Sequence, residues 1–241
     1  MALKARCQCD PSCKEPPLNG LPFCEKHNRK CPRVAPTTLS YPVYRPDKFN
    51  KHPGVKEANN CFAYAFDYIR LPKSKCTKES CPIAFPQPGR KSGYPKWSDV
   101  SGKRCPDLIA RLKGDIPGLT QSNFTQKCPI GSHKVVVVTD EDEDYHFYRQ
   151  DRNGYWSHKP GGTDVTCLDS TGRPIYDPAL AARAYSSSGL NYDNFCGYMC
   201  VPAKKKGHKL RGGESRGHIK GARKANKQRK HTVRKQRKYS H

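Results

Sequence analysis

Cys61, in the stretch NNCFAYAFDYIRL, and the histidines His146 and His158, in DYHFYRQDRNGYWSHKPGG, are the residues whose types and order suit nucleophilic acyl chemistry. A cysteine attacks as its thiolate. A helix N-terminus favours that form, because its unpaired N–H groups and macrodipole stabilise negative charge. A histidine must lie within hydrogen-bond reach to move the proton, and a third polar group must hold that imidazole in the right tautomer. The hairpin that carries His146 and His158 can supply both groups. Blander readings stand beside this one. Cys61 suits a buried structural thiol, and His158 suits a partner for a turn carbonyl. His133, in GSHKVVVV, is a rival base or orienting group, and Asp144 and Asp164 are weaker rivals for the third position. Tyr64 and Asn60 are candidates for an oxyanion site, and Trp97 and Trp156 fit a core or cleft wall.

The elements that must position these residues follow from periodicity. Phe62, Ala65, Phe66 and Ile69 recur at helical spacing, with Asn59 or Asn60 as N-cap, which sets Cys61 in the first turn. A long irregular loop, PKSKCTKESCPIAFPQPGRKSGYPKW, follows, then a short amphipathic helix, DLIARLKGD. KVVVVTD is β-branched and fits a buried strand, DYHFYRQD alternates, GYWSHKPGG returns, and SGLNYDNFCGYMCVP closes the domain as a last strand. Helix first and antiparallel strands after predict an α+β fold, a helix packed on an antiparallel sheet. With a two-residue turn at Asn153–Gly154, paired positions sum to about 307, which sets His158 opposite Arg149 and His146 opposite about residue 161. The two histidines share a parity, but contact between them is stretched. It requires a bulge or a wider turn near Arg152–Gly154.

NNCFAYA followed far downstream by the histidine hairpin resembles the papain-like amidase and peptidase superfamily, closest in pattern to its NlpC-type branch. The resemblance spans residues 55–202. It implies Cys61 as nucleophile, His146 as general base and His158 as the residue that orients it. The long Cys- and Pro-containing loop departs from that pattern.

A second constellation precedes this domain. CQCDPSCKEPPLNGLPFCEKHNRKC holds C-x3-C-x10-C-x2-H, that is Cys9, Cys13, Cys24 and His27. Thiolates and an imidazole in two short-spaced pairs suit a tetrahedral zinc site, and a segment this small needs the metal to fold. The motif resembles small treble-clef-like or ribbon-like fingers. Cys7 and Cys31 are left over, to replace a ligand, complete a second partial site or pair with each other. A disulfide-stapled arm is the competing reading. Cys196 and Cys200, four apart, keep a metal site in the core open.

Charge divides the chain further. The net charge is +24, and the stretch from residue 204 to 241 holds 16 Lys or Arg and one acid, Glu214. Lys204, Lys205, Lys206, Arg223, Lys224, Arg229, Lys230, Arg234, Lys235, Arg237 and Lys238 form a tail with no apolar periodicity, expected to be disordered when free and to bind nucleic-acid phosphates by counterion release. It resembles the basic C-termini of many proteins of large DNA viruses. The expected organisation is a zinc module at 1–33, an extended Pro-rich linker at 34–54, the hydrolase-like domain at 55–202 and the basic tail at 203–241. No apolar run is long enough to span a membrane. The N-terminus shows no apolar core of a secretory signal, so the expected setting is a host cytoplasm or nucleus, with packaging in a virion. The expected function is a cysteine peptidase or amidase acting on a protein or other amide-containing substrate. The alternative is a structural, nucleic-acid-binding virion protein that keeps an inert peptidase-like fold.

Overall fold

The computed structural model describes residues 5–69, 84–100, 104–141 and 143–203. The tail residues Lys204, Lys205, Lys206, Arg223, Lys224, Arg229, Lys230, Arg234, Lys235, Arg237 and Lys238 lie outside the described residues. Within them the fold is α+β. Five antiparallel strands form one sheet in the order β1-β7-β2-β3-β4: β1 (Thr120–Ser122), β2 (Ser132–Asp140), β3 (Asp144–Gln150), β4 (Trp156–His158) and β7 (Asn194–Pro202). A separate short ribbon pairs β5 (Ala184–Tyr185) with β6 (Leu190–Asn191).

The β-branched run lies at the centre of the sheet. Val135, Val136, Val137 and Val138 are all fully buried, because both faces of β2 are covered. Val135 and Val137 pack with Phe62, Leu108, Leu112 and Phe147 under the helices α4 (Cys61–Ala65) and α5 (Cys105–Asp115). Val136 and Val138 pack with Trp156, Ile175 and Tyr198 on the opposite face. Leu108, Arg111, Leu112 and Asp115 form the buried stripe of α5, at the spacing its sequence predicts.

The last strand enters between β1 and β2. Val137 pairs with Gly197 and Val138 with Phe195, so Cys196 is the extra residue of a bulge. The bulge aims Cys196 at α5, where it forms a disulfide with Cys105, and a second disulfide joins Cys128 to Cys200. These two bonds overturn the reading of Cys196 and Cys200 as core metal ligands.

Two other expectations change. The helix that starts at Cys61 ends at Ala65, well short of Ile69. Asp67 turns into the left-handed region at φ 49°, and Tyr68 N–H returns to the Ala63 carbonyl, closing the helix end. The 34–54 stretch does more than lie over the surface: it buries Tyr41 and Phe49, holds α2 (Asp47–Asn50), and receives hydrogen bonds from Arg152 at the Tyr41 and Leu39 carbonyls. It leads into α3 (Pro53–Ala58) and so delivers the chain to Cys61. One further turn of helix, α1 (Glu25–Asn28), belongs to the cysteine-rich module.

Candidate active site

The hairpin joining β3 to β4 sets the two histidines. Its turn is wider than a two-residue loop. Asp151 N–H bonds the Tyr155 carbonyl, Gly154 N–H bonds the Asp151 carbonyl, and Gly154 takes φ 90°. A turn followed by a left-handed glycine is the usual three-residue hairpin loop. It moves the register by one residue from the two-residue expectation, so His158 pairs with Tyr148 rather than Arg149. On one face of an antiparallel pair, the diagonal neighbour lies within reach of a long side chain. His146 is that neighbour, and His146 Nε2 lies 2.7 Å from His158 Nδ1.

The protons on this pair follow from one carbonyl. His158 Nε2 is 2.9 Å from the Leu168 backbone oxygen, which only accepts, so Nε2 carries the proton. Burial keeps both rings neutral: it lowers His158 to about 4 and takes His146 well below its ordinary value of 6.5, with the charge of His158 second. A neutral His158 protonated at Nε2 offers a lone pair at Nδ1. His146 must then donate through Nε2, which leaves its Nδ1 unprotonated and basic.

Cys61 is placed by a local cap. Asn60 Oδ1 accepts from Ala63 N–H, and Asn60 Nδ2 donates to the Pro86 carbonyl, so this side chain locks the helix start. Both of its polar ends are engaged. β4 covers only Tyr148–Gln150, and among the described residues the Asp144–Phe147 half of β3 has β2 on one side and no strand on the other. Cys61 lies against that half, its sulfur 3.9 Å from the Tyr145 carbonyl oxygen, while the N–H groups of Phe147 and Phe62 favour the thiolate. The sulfur thus touches the backbone on both sides of His146. Among the described residues, Cys61 makes no hydrogen bond to the His146 ring itself. Burial pushes the Cys61 thiol up and the Asp144 carboxylate adds to this, so the short helix does not set a resting thiolate.

Cys61 and His146 line one cleft of about 570 Å³, walled also by Trp97, Tyr185, Tyr192 and the loop from Pro160 to Thr163. Lys159 holds that loop: its buried ammonium donates to the Lys56 and Gly161 carbonyls at 2.6 and 2.8 Å, and burial lowers it to about 8. His158 does not line the cleft; it stands behind His146.

The rival residues have other partners. His133 bonds the Ala65 carbonyl at 2.7 Å and ties β2 to α4. Asp164 pairs with Lys56, and Asp144 accepts from the Tyr192 hydroxyl at the cleft edge. Tyr64 belongs to a buried network outside the cleft, with its hydroxyl 2.6 Å from Ser157 Oγ and 2.8 Å from Arg149 Nη2. Arg149 also bonds Asp151, Asp67 and the Tyr64 carbonyl, and so clamps the end of α4 to the hairpin. Arg149, Lys159 and the Leu168 carbonyl escaped the sequence reading. An arginine on an alternating strand and a backbone oxygen carry no local signature.

The cysteine-rich module forms a second site. The ligand atoms of Cys7, Cys13, Cys24 and His27 all lie within 4.8 Å of one another, and this group could hold a metal ion. Cys9 is not in it. It forms a disulfide with Cys31, with Cα atoms 5.4 Å apart, so Cys7 replaces Cys9 in the expected ligand set. The reason is local pairing: Gln8 N–H bonds the Pro22 carbonyl and brings Cys7 beside Cys24, whose N–H points at the Cys7 sulfur at 3.3 Å. Gln8 itself is buried. It accepts from the N–H groups of Tyr176 and Asp177 and donates to the Pro174 carbonyl, docking the module on the segment that follows Leu168.

No family model matches the chain, and no solved structure does. Among curated proteins, it is similar to "Insoluble matrix shell protein 1" of Ruditapes philippinarum, at 33% identity over 158 residues, which is 66% of this chain and 88% of that relative.

Proposed function

The chain belongs to the family of insoluble matrix shell protein 1, and on that premise we propose that it is a matrix-associated cysteine hydrolase with a papain-like, NlpC-type core. Cys61 is its nucleophile, His146 its general base and His158 the residue that orients the base. The observation that carries this reading is the hydrogen-bond chain from the Leu168 carbonyl through His158 to His146, which leaves a basic nitrogen on a residue sharing the cleft with Cys61. His146 Nδ1 takes the thiol proton as sulfur attacks an amide carbonyl, then gives it to the departing amine. Water, deprotonated by the same nitrogen, hydrolyses the thioester and restores the thiol. The resting site is neutral, so charge separates only when substrate is bound.

The test is labelling with a thiol-directed electrophile, read at Cys61 by mass spectrometry. Faster labelling at Cys61 than at Cys167, slowed by His146→Ala, supports the reading. Equal rates that are indifferent to His146→Ala sink it.

The cysteine-rich module takes zinc in this proposal. A tetrahedral site with bonds of about 2.3 Å to sulfur and about 2.0 Å to nitrogen has S···S edges of about 3.8 Å and S···N edges of about 3.5 Å. Cys13 and Cys24 sulfurs are 3.7 Å apart, and His27 Nδ1 is 3.4 Å from the sulfurs of both Cys7 and Cys24. The three disulfides among the described residues favour an oxidising setting for the mature chain. The basic tail binds polyanions, nucleic acid included, through counterion release.

A second reading is favoured by the name of the relative: a non-enzymatic matrix protein on an inert peptidase-like fold. It requires that no acyl-enzyme forms with any amide or ester offered, while Cys61→Ala leaves assembly unchanged.

A further inference from the structure

Acyl transfer at Cys61 would put negative charge on the carbonyl oxygen of the substrate, which calls for a hydrogen-bond donor aimed at that point. Most polar side chains described along the cleft already donate elsewhere. Asn60 donates to the Pro86 carbonyl, Ser98 to Asp99, Thr163 to the Pro160 carbonyl, Ser188 to the Tyr185 carbonyl, and the Tyr192 hydroxyl to Asp144. The buried Lys159 ammonium favours negative charge at Cys61, but its hydrogen bonds among the described residues go to the Lys56 and Gly161 carbonyls. It therefore acts as a field rather than as an aimed donor. Gln87, half-buried in the cleft wall, differs. Its Oε1 accepts from the Trp97 N–H at 3.0 Å, which orients the amide and turns its NH₂ to the other side. Among the described residues, that Nε2 makes no hydrogen bond.

Local contacts bring Gln87 beside Cys61. Asn60 Nδ2 donates to the Pro86 carbonyl at 3.0 Å, so the residue before Cys61 holds the residue before Gln87. The Trp97 ring stands edge-on to the Tyr145 ring at 5.2 Å, and the Tyr145 carbonyl oxygen lies 3.9 Å from the Cys61 sulfur. The loop is stiff where it must be. Gln87 lies between Pro86 and Pro88, and the second proline confines it to extended backbone. Two buried side chains of α5 anchor the same loop: Arg111 donates to the Pro95 carbonyl at 2.8 Å, and Asp115 accepts from Gly89 N–H at 2.7 Å.

We propose, on the acyl-transfer reading of Cys61, that Gln87 is a further catalytic residue: its Nε2 donates to the oxyanion of the tetrahedral intermediate. As the sulfur bonds to the carbonyl carbon, the π pair of the C=O bond moves onto oxygen, where the Gln87 N–H meets it. Collapse returns that pair to the C=O bond and breaks the bond to the leaving group. The leaving group departs with the proton that His146 took from the thiol.

The experiment uses the full chain and compares two reactions of the same sulfur, each read at Cys61 by mass spectrometry. p-Nitrophenyl acetate acylates it through a tetrahedral oxyanion. Iodoacetamide alkylates it by displacement at a saturated carbon, with no oxyanion. The ratio of acylation to alkylation therefore reports on the oxyanion alone and cancels changes in the thiol. Gln87→Ala is expected to lower the ratio by about 10²–10³-fold, the usual loss for one oxyanion donor. Gln87→Glu keeps an oxygen for the Trp97 N–H but, above neutral pH, offers no donor, and is expected to lower the ratio at least as far. A ratio unchanged in both variants overturns the assignment. So does a ratio lost in Gln87→Ala and kept in Gln87→Glu, which would mean that Gln87 only holds Trp97. Both results leave the acyl-transfer reading standing. An iodoacetamide rate at Cys61 that His146→Ala does not change defeats the acyl-transfer reading, and this inference with it.

Discussion

The molecule uses cysteine and histidine twice, in opposite ways. In the N-terminal module, three sulfurs and one imidazole converge on a common point, held by a disulfide and by the short turn of α1. At the cleft, the sulfur at the start of α4 lies against β3, and the His146 ring bonds the His158 ring behind it rather than a shared centre. Convergence suits an ion, which needs ligands at equal distance. A string suits a proton, which needs a donor and an acceptor in sequence. The same types of side chain thus converge or stand in line according to whether the backbone folds around them or lays them out in register. The two regions also touch: Gln8, next to Cys7, grips Pro174, Tyr176 and Asp177, and that segment follows the Leu168 carbonyl that sets the tautomer of His158.

The sharpest way to separate the two regions is to remove one sulfur from each. Cys61→Ala is expected to remove the fast-labelling site, leaving only the slower reaction of thiols such as Cys167, and to abolish acyl-enzyme formation while metal content stays unchanged. Cys7→Ser is expected to drop bound zinc from one per chain toward none, and Cys9→Ser to retain it, as metal analysis after desalting will show. Loss of metal in Cys9→Ser with retention in Cys7→Ser would restore the ligand set expected from spacing. If the proposed mechanism holds, His146→Ala is expected to slow acylation by about 10²–10⁴-fold, the contribution usual for a general base. His158→Ala should slow it less and alter its pH profile, since it changes the tautomer and not the attacking group.

Smaller effects report on the scaffold. Replacing Cys128 and Cys200 by serine, which opens a loop of sequence separation 72, is expected to cost about 4 kcal/mol in denaturant unfolding. The buried histidines give the last comparison. His133 and His158 both lie at about 4 when folded, depressed by burial from an ordinary 6.5. The unfolded chain therefore binds more protons between these values. The stabilisation they give is complete above about pH 6.5 and is lost as pH falls toward 4, at about 2 kcal/mol per histidine between pH 7 and pH 5. Urea midpoints at the two pH values check this, and His133→Gln should reduce the difference. An unchanged midpoint would mean that the rings are not buried as neutral groups.

Local pattern carried much of this architecture. The β-branched run of β2, the apolar stripe of α5, the cap before Cys61 and the alternation of β3 depend on neighbours within a few residues. They are legible because side-chain periodicity is imposed by the backbone geometry of each element. The requirement for a wider turn near Arg152–Gly154 was also legible, from the parity of His146 and His158. Four decisions belong to the tertiary structure. The glycine at φ 90° chose a three-residue loop and moved the pairing by one residue, which flips the partner set of a whole strand. Gln8, through Pro22, chose Cys7 over Cys9, although the two stand only two residues apart. The bulge at Cys196 chose its partner 91 residues away in α5. A carbonyl ten residues beyond His158 chose which nitrogen of His146 carries the proton. Sequence by itself determined which residues could do chemistry and on which elements they stand. Only the closed fold decided which of them meet, because contact between distant segments depends on register, loop closure and burial that no local pattern encodes.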